Sequence, residues 1–235
     1  MTFGGRHLLS LAVIAGFAWY MLRFRGADED TRRRGRQAIA AMLVLNELSW
    51  HVWAWHYVGW TPQKMLPLHI CSALVWLGAY GLLTRHPTVY EFMYFMGIAG
   101  PLQAILTPDA GRYALPHYRA LQTMTSHGLL IIGALYLTVV EGMRPTWRSV
   151  RRVIVGTSAY IAAVTVVNVL IGSNYVWTLA KPPSASLLNA LGPWPWYLVP
   201  MILLGVVNVL LLYLPFWWID RRRVRAAATD ERPRT

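Results

Sequence analysis

The chain has 235 residues, of which 56% are hydrophobic and only 14% charged, and its formal net charge is +12. Soluble domains lie nearer about 45–50% apolar and about 25% charged, so this composition excludes an ordinary soluble domain. A single cysteine excludes an intramolecular disulfide framework and a cysteine-rich metal site.

Seven apolar runs follow one another, at 7–24, 38–57, 66–84, 89–106, 124–142, 153–172 and 197–219. Each approaches the ~20 residues that a helix rising ~1.5 Å per residue needs to cross a ~30 Å hydrocarbon layer. The runs are continuous and lack alternation, which favours helices over a barrel. The fold class expected is therefore all-α: a polytopic membrane helix bundle of about seven transmembrane helices. No internal repeat is evident, which counts against the inverted-repeat transporter plan.

The first run is led only by Arg6 and lacks a small-x-small cleavage site, so it reads as a retained helix. Residues 26–37 are expected as a short charged loop. The second run carries Glu47, His51 and His56. Glu47 and His51, four residues apart, share one helical face, where a carboxylate can orient an imidazole and stabilise its protonated form. The two can equally well satisfy each other in the bundle interior. The third run opens with Leu66-Pro67-Leu68-His69-Ile70-Cys71-Ser72, and Pro67 suits a first helical turn. The free N–H groups of such a turn stabilise a thiolate or an oxyanion. His69 and Cys71 stand two residues apart, roughly 200° around a regular helix, so only one of them should face a given site. A lone cysteine in an apolar helix is also an ordinary small hydrophobe.

The fourth run ends with Gln103 before Thr107-Pro108-Asp109, and the fifth begins with Thr125-Ser126-His127-Gly128. The sixth reaches Asn168 and then Asn174. Between it and the seventh, residues 174–196 contain Pro182, Pro183, Pro193 and Pro195, which preclude a regular helix. This stretch is too rich in tryptophan for a solvated loop and reads as a lid or partly re-entrant segment. The bundle is expected over 1–220 and a basic, mobile tail over 221–235.

Charge placement orients the chain. Alternating sides across seven spans puts seventeen Lys and Arg on one side and five (Arg6, Lys64, Arg112, Arg119 and Lys181) on the other. The rich side is cytoplasmic by the positive-inside rule, with the N-terminus outside and the C-terminus inside. The positive charge thus reads as an orientation signal, and no nucleic-acid partner is expected. Tryptophans near both boundaries agree with that placement.

Polar side chains within a membrane are costly and mark function. Five spans place theirs in the outer half: Glu47, His51, His69, Cys71, Gln103, His127, Asn168 and Asn174. The inner half offers little beyond Glu91 and Asn208. The pattern predicts a polar cavity reached from the outer leaflet. Lys181 is placed to hold a phosphate headgroup, or is simply an interfacial lysine. Several histidines invite a metal reading, but no His-Glu-x-x-His pair is present, and no metal or cofactor is expected.

The Leu66–Cys71 block resembles a motif of the YwaF-like bacterial integral membrane proteins. So do Asn174-Tyr175, Lys181-Pro182, Ser186-Leu187-Leu188 and Gly192-Pro193-Trp194-Pro195-Trp196-Tyr197. That family is grouped with the eukaryotic transmembrane protein 164 acyltransferase-like proteins, and the resemblance spans roughly the second to seventh runs. It implies phospholipid acyl transfer with Cys71 as acyl acceptor. An Asp commonly follows the late Ser-x-Leu, where this chain has Asn189. On this reading Cys71 takes an acyl group from a membrane lipid and His127 is the base. His51 and Glu47 act as second imidazole and orienting acid, and Asn174 or nearby N–H groups hold the oxyanion. Substrate contacts are expected at His69, Gln103, Asn168, Asn174 and Lys181. The expected location is the bacterial inner membrane. The alternative is a non-enzymatic lipid- or solute-binding membrane protein or transporter, in which Cys71 is dispensable.

Overall fold

A computed structural model describes residues 4–107, 113–182 and 190–230. The described residues form an all-α bundle of eight helices and three short 3-10 or π turns. The helices are α1 (Gly5–Leu22), α2 (Glu29–Tyr57), α3 (Pro62–Met65) and α4 (Ile70–Thr84), followed by α5 (Pro87–Leu106), α6 (Tyr118–Leu135), α7 (Trp147–Ile171) and α8 (Leu198–Asp230). Five helical stretches are long and apolar enough to cross a membrane, led by α1, α5, α6, α7 and α8, and α4 is a shorter apolar helix. The 29-residue α2 has the length, but its first turns are charged.

Local chemistry sets the ends. Asp28 caps α2 by accepting from the Thr31 N–H at 2.8 Å. Thr146 and Ser149 form a reciprocal capping box at the start of α7, and Gly172 closes that helix with a φ of 67°. Proline stands in the first turn of α5, where its missing N–H costs nothing.

One expectation needs correcting. Residues 26–37 are not a loop: α2 begins at Glu29, because the Asp28 cap is followed by Arg32–Glu29 and Arg33–Asp30 pairs at 2.8 and 2.9 Å along one helix. At the other end of the chain α8 continues as a helix to Asp230, through the first ten residues of the basic tail. No breaker interrupts its Arg/Ala-rich run, and Arg221 and Arg222 lie over the rings of Trp217 and Trp218 at 4.2 and 3.4 Å.

The centre of the bundle is α2, α4, α5 and α6, packed around Leu43, Leu82, Met93, Phe95, Leu130 and Tyr136. The outer helices dock through glycines. A methyl group at Gly128 would sit 2.9 Å from Ile14 of α1, and one at Gly156 would sit 2.5 Å from Phe92 of α5. Successive helices alternate in direction, so one end of the bundle gathers His51, His69 and the 173–182 segment, and the other gathers the arginines.

The arginine end carries an ion-pair network of its own. Glu141 is buried between Arg36 and Arg85, and the same arginines reach Glu29 at 3.1 and 3.4 Å. Glu91 accepts from Arg152 at 2.7 Å and from Ser149 at 2.9 Å. Arginines that look in sequence like solvated orientation charges have carboxylate partners from three or more helices, a pairing that a buried charge requires.

Helix α8 meets the bundle unevenly. Val209 and Tyr213 are buried, and Tyr94 donates to the Leu212 carbonyl at 3.0 Å. One turn nearer the histidine end, Ile202, Leu203, Leu204 and Gly205 are all exposed. Four consecutive exposed residues cover every side of a helix, so α8 has left its neighbours there. Its start is tied back by Tyr197, which donates to the Trp177 carbonyl, and by Trp194, which donates to Thr178 O at 3.2 Å.

Candidate functional site

On the α2 side of the histidine end, α2 and α6 are clamped backbone to side chain. Asn46 donates to Gln122 O at 3.2 Å, and Gln122 returns a bond to Asn46 O at 3.4 Å. This clamp carries Arg119, which donates to the Gln122 Oε1 atom and stacks over Trp50 at 3.8 Å. Arg119 interacts electrostatically with Glu47, His69 and His127, which stand on or beside three different helices. In the sequence Arg119 reads only as a boundary charge. An aromatic layer lies above it: Trp53 stacks on Trp50, Tyr57 and Tyr118 at 5.5–5.6 Å and meets Tyr113 and His117 edge-on at 6.0 Å.

The four residues expected to be catalytic all lie at this end, and the hydrogen bonds of the histidines distinguish them. An imidazole nitrogen facing a carbonyl must donate, and one facing an N–H must accept. His127 Nδ1 lies 2.8 Å from Thr123 O, so it donates and leaves an Nε2 lone pair. His51 Nδ1 accepts from Trp60 Nε1 at 3.3 Å, so its Nε2 carries a proton, 3.8 Å from Glu47 Oε1. His69 Nδ1 accepts from the Val176 N–H at 3.2 Å, which again leaves Nε2–H as a donor. Of these three, only neutral His127 presents a basic nitrogen.

His69 and Cys71 do not share a regular helix, because α4 begins at Ile70 and His69 is its extended N-cap, with ψ of 141°. Pro67 accordingly precedes the helix instead of opening it. The His69 ring turns to Tyr175 and Trp177, with centroids 5.2 and 5.1 Å away. Cys71, half-buried, sits in the first turn of α4 and faces α5, where its Sγ would be 3.6 Å from a methyl placed on Gly100. Gly100 itself is exposed. Leu130 of α6 packs against Gly78 of α4. Because α4 and α6 run parallel, with α5 antiparallel between them, that contact puts His127 about one turn, roughly 6 Å, deeper than Cys71.

The remaining expected contacts fall elsewhere. Asn168 is fully buried and all four of its hydrogen-bonding positions are used. It donates to Tyr175 O and Thr178 Oγ1 and accepts from Ser173 Oγ and the Tyr175 N–H, at 2.7–2.9 Å. Asn174 donates to Ala180 O at 2.8 Å and accepts from the Leu179 and Ala180 N–H groups. Both amides build the turn that follows α7: Asn168 has nothing left to offer a substrate, whereas Asn174 keeps one N–H. Gln103 is exposed on α5. Lys181 Nζ lies over the Tyr197 ring at 5.5 Å. Pro108, Asp109, Arg112, Pro183, Ser186–Leu188 and Asn189 lie outside the described residues. Among the described residues, no three His, Cys, Asp or Glu side chains are grouped as metal ligands.

A helical membrane bundle with a thiol, three histidines and a guanidinium at one end is the class of protein defined by this geometry. Residues 2–213 match the profile of the TMEM164 family, and the chain belongs to that family. The YwaF-like resemblance fits this relationship. An uncharacterized protein of Treponema pallidum (strain Nichols) is 27% identical over 157 residues, which cover 66% of this chain and 63% of that relative. The match thus spans less than two thirds of the relative's length. No solved structure matches the chain.

Proposed function

We propose that this protein is an integral membrane lipid acyltransferase or acyl hydrolase, with Cys71 as nucleophile and His127 as base. The observation that carries the reading is the His127 tautomer. Its Nδ1–H is held by a backbone carbonyl, so the lone pair of Nε2 is free at the end of the bundle where the thiol lies. Cys71 transfers its proton to His127, through a water spanning the intervening turn, and the sulfur attacks the lipid ester carbonyl. The S–C bond forms, the ester C–O bond breaks, and the departing alkoxide takes the proton back. A hydroxyl of a second lipid, or water, then attacks the thioester and frees Cys71. Unpaired N–H groups in the first turn of α4, or the remaining Asn174 N–H, are the oxyanion donors. His51 and Glu47 are a supporting pair.

Membrane lipids are the partners in this scheme. The opening beside α8 and the exposed Gly100 give an acyl chain a lateral path from the bilayer. The bundle crosses the bacterial inner membrane seven times with its arginine end in the cytoplasm, as the seventeen-to-five charge asymmetry supports.

A non-enzymatic lipid-binding role is the second reading, favoured by the commitment of the whole Asn168 amide and most of the Asn174 amide to a turn. Mass spectrometry of the protein in phospholipid nanodiscs separates the two. Acyl-Cys71 in the parent and its loss in Cys71→Ala are expected. A Cys71 that never carries an acyl group, in a protein that still binds lipid, leaves the binding role.

A further inference from the structure

Arg119 is the group at this end that the proposed chemistry leaves unused. Its guanidinium is held by α6 from below, gripped by Gln122 on one side and flattened against Trp50 on a face. Gln122 is itself buried and locked to Asn46, so the fork is preorganised before anything binds. Yet only one of its nitrogens is engaged: among the described residues, Nε and the second terminal nitrogen have no hydrogen-bond partner. Nor are they sealed away, since the buried side-chain atoms left unpartnered are Arg32 Nε and Thr61 Oγ1. No carboxylate of the described residues lies within 4 Å of Arg119; Glu47 balances its charge from a longer distance. An orienting partner, a stacked face and two free parallel donors suit a bidentate oxyanion. The depth is that of a lipid headgroup, because Trp50, Trp53, Tyr57, Tyr113 and Tyr118 form an interfacial aromatic layer around it.

Resting on the lipid reading of this same site, we propose that Arg119 anchors the phosphate of a glycerophospholipid, with the ester groups beneath it turned toward the histidines. A phosphate at Arg119 fixes the headgroup, and the glycerol carbons then extend into the bundle. The anchored class is a lipid with an accessible phosphate. Diacylglycerol, which lacks one, is not held.

Purified protein in detergent, all in a Cys71→Ala background, is titrated with dioleoyl phosphatidic acid and separately with dioleoylglycerol, and bound lipid is read by native mass spectrometry. Cys71→Ala makes the outcome independent of whether the thiol reacts. Arg119→Gln should weaken phosphatidic acid retention by about tenfold or more, the scale of a lost charge-assisted bidentate contact, and leave dioleoylglycerol unchanged. Arg119→Lys, which keeps the charge and the fold, should retain an intermediate share because its point charge lacks the fork. Equal phosphatidic acid retention in the parent and Arg119→Lys, or in the parent and Arg119→Gln, overturns the anchor. Complete displacement of phosphatidic acid by millimolar inorganic phosphate would show a site for the free anion and overturn the lipid assignment.

Discussion

Three side chains show how much individual hydrogen bonds decide. Asparagine places an N–H₂ group close to where histidine places Nδ1, so His127→Asn keeps a donor for Thr123 O and removes the Nε2 lone pair. We expect this variant to fold as the parent does and to form acyl-Cys71 about 10²–10⁴-fold more slowly. A rate within threefold of the parent would remove His127 from the base role. At the opposite end, Asp28 is held below the usual carboxylate range by the Thr31 N–H and hydroxyl, and Glu29 by the bond from Arg36 and then by the Arg85 charge. A depressed folded value means that their contribution is present at neutral pH and is lost as the pH falls through that value. Amide exchange over residues 29–36, corrected for intrinsic rate, should therefore rise in acid, below about pH 4. Glu29→Gln should blunt that rise, and an unchanged profile would separate Glu29 from the helix start.

At the scale of elements, the α4–α5 contact controls access to the thiol. A Cβ at Gly100 meets Cys71 Sγ at an ordinary 3.6 Å, so the contact itself tolerates a side chain, whereas a larger group screens the sulfur. Gly100→Leu should slow modification of Cys71 by a bilayer-soluble maleimide severalfold with little change in melting temperature. Unaltered labelling would place the route to Cys71 elsewhere. The Glu141 carboxylate joins α2, the end of α4 and the π turn after α6. Removing one member of a buried pair strands the other, which costs about 3–5 kcal/mol. Glu141→Leu should lower thermal stability accordingly, and adding Arg36→Met should recover part of the loss; a neutral single variant would mean that the network is decorative.

For the molecule as a whole, the all-helical bundle was legible because apolar runs report hydrocarbon directly. Helix ends were less so. The cap and ion pairs at Asp28–Arg33 extend α2 through residues whose composition reads as loop. A helix whose first turn holds Pro67 sets His69 and Cys71 on different faces, whereas the observed start at Ile70 makes His69 an extended cap. The candidate site was legible as a depth, the level where polar residues cluster, but its roles were not. Asn168 and Arg119 exchanged expectations, because only folding shows that the amide is consumed by a local turn and that the cation lies between α2 and α6. Orientation is testable at this scale. In Cys71→Ala protein, a cysteine at Gln63 should react with an impermeant maleimide added outside intact cells, and one at Arg33 only after the membrane is opened; the reverse pattern would invert the topology.

The saturated Asn168 amide bears on the order in which the molecule is made. Its four partners lie between residues 173 and 178, so the knot can tighten as soon as the ribosome has delivered that stretch, before α8 exists. Contacts this local close early. Tyr197 and Trp194 then arrive to find Trp177 and Thr178 already in place. The final helix is therefore fastened to a finished surface, the reverse of a lid that waits for the last span to give it shape.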